Sequence, residues 1–431
     1  MKKFILFSII FCFFCFLLPQ AKAEEILTWE DCLAEAKKNH PDLISAVENL
    51  NQQKASKSIT ASTLYPQIDV NLDASTSSTS TTSATTGVTT KATTDTYTYG
   101  VSGTQLIFDG FKTLNKVKAA SENIKAAQQN YRFTSSEVRL NLRTAFINLL
   151  KEQELIHVAE EIVKIRRDSL ILITLRYESG LEHKGAQLTA EANLAQASFE
   201  IAQTKRDVEL AQRQLTKEMG RQEFKPMSVK GDFIVGDTAK ERPDLQALAK
   251  NNPFLLQVLA KRNAAAFDIK SAYADFVPAL SGTTAANKKS AHWPPENNNW
   301  NLGLSLTMPI FEGGLRLAQV SKAQAAYNQL EADERSARDS VIVALQQYWA
   351  ALQDALETVE VQRKSLEAAE ERSKIAEAQY STGFITFDNW IIIENDLVKA
   401  KKAYLDALGN ALFAEANWIY AKGETLEYAQ K

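Results

Sequence analysis

One short stretch occurs twice in this 431-residue chain, at the same change of pattern each time. Before each copy, apolar residues alternate with polar ones, which is typical of a β-strand with one apolar face. After each copy, apolar residues recur with a period near 3.5, which is typical of a coiled-coil helix. The sequence therefore predicts two joints between a strand and a long helix. The residues that define them are Phe108 and Gly110 in the first copy, and Pro309, Phe311, Gly313 and Gly314 in the second.

The rest of the chain is duplicated around these joints. Tyr177 has a counterpart in Tyr380, 203 positions later, and Gly180 and Gly383 have the same separation. Matches that persist over such a distance indicate two copies of one structural unit. We place the first copy at residues 24–236 and the second at residues 237–431. Each is predicted to contain a helix, two strands joined by a loop, a long helix, a turn and a returning helix.

The first 23 residues have the pattern of a secretory signal peptide. Lys2 and Lys3 precede an apolar run from Phe4 to Leu18, and a small-residue cleavage site follows at residues 21–23. This order of features is typical of export from the cytoplasm. We therefore expect residues 1–23 to be removed, and Cys32 to be the only cysteine that remains.

Four alternating runs are predicted to be strands, beginning near Ile68, Tyr97, Ala279 and Trp300. A sheet with one apolar face belongs either to a soluble sandwich or to a transmembrane barrel. The opposite face is small and polar, and aromatic residues lie near one end, so the barrel is favoured. Because about eight strands are the usual minimum for closure, the chain must oligomerise, and three copies would supply twelve strands. The Ser/Thr-rich residues 75–96 are expected to form a solvated loop.

The helix after Gly110 is predicted to run to about Glu178, which is roughly 100 Å at 1.5 Å per residue. Gly180 and Gly383 should end the two long helices, and each chain then turns back. Residues 220–240 lose the helical pattern, so we expect them to join the copies and pack against the outside of the helices.

Motifs for chemistry are not found. The four histidines are scattered without metal-ligand spacing, and no nucleophile or nucleotide-binding motif occurs at a strand-to-helix joint. The formal net charge of −3 argues against nucleic acid as a partner. We therefore predict no catalytic residues, no cofactor and no metal.

The two joints and the two Y-x-x-G turns together resemble the TolC-like outer membrane efflux and secretion channels. The resemblance implies a homotrimer with a twelve-stranded outer-membrane β-barrel, four strands per chain, continued by an α-helical coiled-coil tunnel in the periplasm. It also implies passive transport with a periplasmic adaptor (membrane fusion protein) and an inner-membrane pump or ABC transporter. Outer-membrane lipid would surround the barrel.

The resemblance also implies sites at the tips of the helical hairpins. The candidates for adaptor docking are Tyr177, Gly180, Leu181, Tyr380, Gly383 and Phe384. The alternative is that the glycines only allow the backbone to turn. Glu182 and His183, at the first tip, are expected to be solvated.

A gate is implied beyond the second tip, where the family often carries a ring of aspartates. This chain has Asn389 and Ile392 at those positions, and the nearest acid is Asp388. Asp388, with Asn389, is either part of the gate or the N-cap of the returning helix.

Two other functions stay open from the sequence. The same fold could serve as the exit of a type I protein secretion system. A periplasmic coiled-coil adaptor or structural protein would also have long helical hairpins. It would not explain strands with a lipid-facing apolar stripe.

Overall fold

The computed structural model describes residues 25–235 and 243–427. The predicted signal peptide, residues 1–23, lies outside this range. The boundary between the two predicted copies, at residues 236 and 237, and the end of the C-terminal tail, residues 428–431, lie outside it as well. The division of the chain at that boundary therefore stays a prediction.

The elements follow the predicted order in each half of the chain, with short additions. In chain order they are β1 (Glu25–Leu27), α1 (Trp29–Asn39), α2 (Pro41–Ser62), β2 (Gln67–Thr82), β3 (Thr89–Phe108), α3 (Lys112–Glu178), α4 (Lys184–Glu218), β4 (Met227–Val229), α5 (Leu245–Lys250), α6 (Pro253–Ala274), β5 (Ala279–Ser290), β6 (Asn297–Thr307), α7 (Leu315–Ser381) and α8 (Phe387–Ala421).

The long helices confirm the predicted lengths and turns. Helices α3 and α7 each contain 67 residues, and the returning helices α4 and α8 each contain 35. Each boundary in the second pair lies 203 positions after its counterpart in the first. The heptad pattern of both pairs therefore has no insertion or deletion between the copies.

The chain divides into two compact units, each assembled from three segments. The helical unit contains Met1–Pro41, Val138–Glu241 and Tyr348–Ile419. The sheet unit contains Asp42–Glu137, Arg242–Gln347 and Tyr420–Lys431. Both units draw on both halves of the sequence, as expected where duplicated halves fold around shared cores.

The sheet unit holds a four-stranded antiparallel sheet in the order β2-β3-β5-β6. Since side chains alternate between the two faces of a strand, the register decides which residues share a face. Val70 pairs with Val101, which pairs with Ala286, which pairs with Trp300. The predicted apolar stripes therefore lie on one common face. Its large apolar members are Ile68, Val70, Leu72, Tyr97, Tyr99, Val101, Trp300, Leu302, Leu304 and Leu306.

The prediction of a solvated loop over residues 75–96 is wrong for most of that stretch. Strands β2 and β3 stay paired from Ser75 opposite Thr96 as far as Thr82 opposite Thr89. Only residues 83–88 turn between them. Threonine is β-branched and favours strands, so a Ser/Thr-rich composition is compatible with a hairpin. The residue pairs of this hairpin beyond Tyr97 have no partner in β5, because β5 ends at Ser290, opposite Tyr97.

The helical unit is held together by the predicted heptad stripes. The stripe positions Leu142, Leu149 and Leu352 of this unit are fully buried. A parallel pair formed by β1 and β4 was not predicted, because three-residue strands leave no periodic signal. Arg221 links β1 to α1 through ion pairs with Glu25 at 2.8 Å and Glu35 at 2.7 Å.

In the part of the chain that the structure describes, no helix has the length and apolar character needed to cross a membrane.

Candidate functional site

The first candidate surface is the apolar face of the sheet. Trp300 is 81% exposed and Val70 is 82% exposed, although both are large apolar residues. Such a contiguous apolar surface needs a partner that shields it from water. The face opposite carries small polar residues such as Ser102, Asn301 and Ser305, as in a barrel whose interior is wet.

Among residues 25–235 and 243–427, β2 and β6 are the outer strands of this sheet, and each has one unpaired edge. Backbone groups left unpaired in hydrocarbon cost several kcal/mol each, so only closed barrels are stable there. The sheet is therefore incomplete as it stands, and strands from other copies of the chain are the natural partners for its edges.

Aromatic residues gather at one end of the four-stranded region. The ring of Trp293, between β5 and β6, lies 6.3 Å from the rings of both Tyr97 and Tyr99, with edge-to-face geometry. Aromatic rings occupy the interface between hydrocarbon and water in membrane barrels. This end of the sheet therefore has the composition of an aromatic girdle.

At the first joint, two consecutive residues have a left-handed backbone conformation. Gly110 and Phe111 both have φ of +66°. A Cβ on Gly110 would lie 2.7 Å from the Cβ of Val277, so only glycine fits. Phe111 keeps its unusual conformation while its ring packs edge to face on Phe108, 5.5 Å away. Asp109 accepts hydrogen bonds from the backbone N–H and the hydroxyl of Thr113, at 2.8 and 2.6 Å, and caps α3.

The second joint has the same backbone with two glycines. Gly313 has φ of +61° and Gly314 has φ of +85°, and an added Cβ on either would meet no atom within 4 Å. Phe311, at 87% exposure, and Pro309 precede them outside any strand. The predicted joint residues thus lie where a strand gives way to a helix, and the second joint is the more open of the two.

The hairpin tips share one turn geometry. Gly180 has φ of +70° and Gly383 has φ of +83°. The N–H of Leu181 donates to the carbonyl of Arg176, and that of Phe384 donates to Gln379, both at 2.8 Å. With the Gly180 N–H bonded to Tyr177 at 3.0 Å, this is a Schellman motif, which requires a residue that tolerates positive φ.

The two tyrosines of the tips have different environments. Tyr177 is 37% exposed, whereas Tyr380 is 1% exposed and stacks on Trp390 with ring centroids 4.5 Å apart. The Tyr380 hydroxyl donates to Glu182 at 2.9 Å, and the Arg176 guanidinium lies 4.8 Å from its ring centroid. Burial, and then the hydrogen bond to Glu182, raise the pKa of Tyr380, so its hydroxyl remains a donor.

This contact joins the first tip to the second, and it corrects one prediction. The side chain of Glu182 is only 11% exposed, so its predicted solvation is wrong: the neighbouring hairpin covers it. His183 is exposed as predicted, and its Nδ1 accepts from the Ala186 N–H at the start of α4. The sequence carried no signal for this pairing, since both tips have the same Y-x-x-G motif.

The other tip residues are available to a partner. Leu181 is 66% exposed and Phe384, its counterpart in the second copy, is 84% exposed. An added Cβ on Gly180 or Gly383 would meet nothing within 4 Å. Five of the six predicted docking residues therefore lie on the surface, and Tyr380 supports them from inside.

Asp388 and Asn389 are both exposed in the first turn of α8. Because α8 begins at Phe387, Asp388 follows the first helical residue, and the prediction that it is the N-cap is wrong. A carboxylate in the first turn still interacts favourably with the helix dipole. The gate interpretation of Asp388 and Asn389 stays a prediction, beside this structural role of Asp388 at the start of α8.

The chain is similar to known outer membrane proteins over most of its length. The family model described as "Outer membrane efflux protein" matches residues 32–221 and 245–422. The chain is 23% identical over 415 residues to the outer membrane efflux protein BepC of Brucella suis, covering 94% of this chain and 87% of that protein. It is 23% identical over 410 residues to the outer membrane protein TolC of Escherichia coli, covering 90% and 79%.

The fold is also found among solved structures. A crystal structure of a membrane protein from Pseudomonas aeruginosa superposes with a TM-score of 0.81 at 18% identity, covering 91% of this chain and 92% of the other. This likeness confirms the predicted fold class, with four barrel strands per chain continued by long helices. Within residues 25–235 and 243–427, no group of three or more His, Cys, Asp or Glu side chains is arranged to hold a metal ion.

Proposed function

We propose that this chain, which belongs to the outer membrane efflux protein family, is the exit channel of a tripartite efflux system. The protein lies in the outer membrane, and its long helices extend into the periplasm. Relatives such as BepC and TolC are outer membrane proteins of the same family. Members of the family are channels, so transport through this protein is passive.

One observation carries the proposal: the apolar face continues in register across all four strands and stops at two unpaired edges. Three copies would pair β6 of one chain with β2 of the next and close twelve strands. Lipid would then cover the apolar face, and the small polar face would line the lumen. A periplasmic adaptor would not need a sheet with a lipid-facing apolar surface.

The test of this proposal is conductance in a planar lipid bilayer, with the mass of the purified protein measured in detergent. A trimer that inserts and conducts ions supports the channel. A protein that stays monomeric or fails to insert contradicts it. A trimer that inserts without conducting supports the barrel and places the closure at the helical end.

We further propose that a periplasmic adaptor docks at the hairpin tips, and that an inner-membrane pump drives substrate through the assembled system. The exposed apolar side chains of Leu181 and Phe384, each directly after a glycine turn, support this assignment. Tyr177 lies on the same surface. Asp388 and Asn389 are proposed as the gate, because their exposed side chains directly follow the second tip.

The docking proposal is tested by filling the tip turns. Gly180→Trp and Gly383→Trp add bulk where the protomer has open space, so each variant should still form conducting trimers but lose efflux in cells. Gly87→Trp is the matched control: Gly87 has φ of +67° and open space around it, but lies in the β2–β3 turn. Normal efflux from both tip variants would contradict docking at these turns.

A further inference from the structure

A cavity of about 790 Å³ lies between α3, α7 and α8 in the helical unit. It begins beside the second tip, where Ser381 and Trp390 form part of its wall, and extends along the helices to Lys401. Its volume is within the range of roughly 300–1,000 Å³ that is usual for small-molecule sites.

Two residues that line the cavity, Glu394 and Trp390, each carry a buried polar atom that lacks a partner among the residues that the structure describes. Glu394 is 3% exposed, and its Oε1 accepts a hydrogen bond from the Ser373 hydroxyl at 2.6 Å. Its other oxygen, Oε2, has no partner among the residues that the structure describes. Trp390 is 2% exposed, and its indole N–H also lacks a partner there. Buried polar atoms of folded proteins nearly always have a partner, so each of these needs an explanation.

These two groups are complementary and close together. Trp390 and Glu394 are four residues apart on α8, so their side chains are neighbours on one face of the helix. The indole offers a donor, and the free carboxylate oxygen offers a charged acceptor. A ligand that satisfies both must carry a donor, preferably cationic, next to an acceptor.

The charge around the cavity favours a cation. Its lining includes five carboxylates and two lysines. Lys401 already pairs with Glu161 at 2.9 Å and with Glu370 at 3.3 Å. Arg166, on α3, donates through Nη2 to Asn395 at 2.6 Å. It makes no hydrogen bond to Glu394, although its charge acts on that carboxylate. The apolar residues Leu172 and Leu397 also line the cavity and would contact a carbon skeleton.

We propose that this cavity binds a 1,2-amino alcohol, whose ammonium group donates to Glu394 and whose hydroxyl oxygen accepts from the Trp390 indole. The stack of Trp390 on Tyr380 holds the indole in place. The site is separate from the exposed docking surface of the tips, and the proposal does not depend on the channel function.

Isothermal titration of the purified full-length protein in detergent tests this assignment. The probe is 2-deoxystreptamine, a cyclohexane with two amino groups beside hydroxyls. The controls are 1,3-diaminocyclohexane, which lacks the hydroxyls, and scyllo-inositol, which lacks the amines. We expect 2-deoxystreptamine to bind about 5-fold more tightly than the diamine, as one neutral hydrogen bond allows. The inositol should not bind measurably.

Variants assign each contact. Glu394→Gln keeps the shape of the side chain and an acceptor for Ser373, and should weaken binding of 2-deoxystreptamine at least about 10-fold by removing the charge. Trp390→Phe keeps a ring on Tyr380 but removes the N–H. This variant should therefore bind 2-deoxystreptamine and 1,3-diaminocyclohexane with about equal affinity. Glu209→Gln makes the same change of charge at an exposed site on α4 and should leave binding unchanged.

Three results would overturn the proposal. Wild-type protein that does not bind the probe at concentrations on the order of 10 mM would mean that the protein itself, for instance Arg166, neutralises Glu394. Equal affinity of the wild type and Glu394→Gln would exclude the carboxylate as the counter-ion. Equal affinity of the probe and the inositol would exclude recognition of a cation.

Discussion

The two strand-to-helix joints offer a matched test of how the barrel end of the chain is held to its helices. Gly110 and Gly313 occupy equivalent positions and have nearly the same φ, +66° and +61°. Alanine at either position must adopt a left-handed backbone, which costs roughly 1–2 kcal/mol. Alanine also restricts the unfolded chain, which offsets roughly 0.4–1 kcal/mol of that cost. Gly313→Ala should therefore lower the free energy of unfolding by about 1 kcal/mol.

Gly110→Ala carries a second cost, because the new Cβ would lie 2.7 Å from the Cβ of Val277 and 3.1 Å from the carbonyl oxygen of Ala274. Neither atom is at the end of a flexible side chain, so the backbone after α6 must move. Overpacking of this kind costs roughly 1–3 kcal/mol. We therefore expect Gly110→Ala to be less stable than Gly313→Ala by about that amount.

Denaturant unfolding of the purified variants in detergent measures this difference, since the unfolding midpoint shifts with stability when the slope is unchanged. Gly110→Ala should unfold at distinctly lower denaturant than Gly313→Ala, which should stay near the wild type. Equal midpoints for the two variants would refute the reasoning, because they share the backbone strain and differ only in the space around the new methyl group.

Three further perturbations follow from the helical unit. Tyr380→Phe removes the hydrogen bond to Glu182 and should destabilise the tip by roughly 1.5–3 kcal/mol, seen as faster amide exchange around the second turn; unchanged exchange would argue against a link between the tips. Asp388→Asn should reduce the cation preference of the conducting channel if this carboxylate lines the gate, and identical selectivity would exclude that role. Burial raises the pKa of Glu394 above its usual 4.5, so its ionisation costs stability as pH rises through the raised pKa. Glu394→Gln should therefore raise the thermal unfolding midpoint at neutral pH, and this gain should vanish below about pH 4.5. A gain of the same size at every pH would contradict a stability cost from the ionised Glu394 carboxylate.

Periodic features of this protein were predictable from its sequence. The long helices were placed within two residues of their observed ends, because a sustained heptad stripe is a strong signal and glycine marks each turn. The apolar faces of the strands followed from alternation in the same way. The residues 75–96 show the limit of this approach: their composition resembles a loop, but pairing between two Thr-rich strands makes a hairpin.

The tip was predictable only in its backbone. Gly180 and Gly383 were correctly placed at turns, since the Schellman motif needs a positive φ. The burial of Tyr380 and the pairing of Glu182 depend on which side of each hairpin faces the other, and single-sequence patterns do not encode that contact. Helix α8 begins one residue before Asp388, so Asp388 lies in the first turn and not at the N-cap.

The equal lengths of the two helical pairs restrict how this protein can change. One residue inserted into α7 would rotate everything beyond it by about 100°, moving the buried stripe away from its neighbours. Seven residues, or two turns, would preserve the stripe, but the second tip would then overshoot the first by about 10 Å. Lengthening is therefore tolerable only if α3, α4, α7 and α8 all gain the same increment. An engineer who wishes to extend the periplasmic part should add whole heptads to all four helices at matched positions, 203 residues apart.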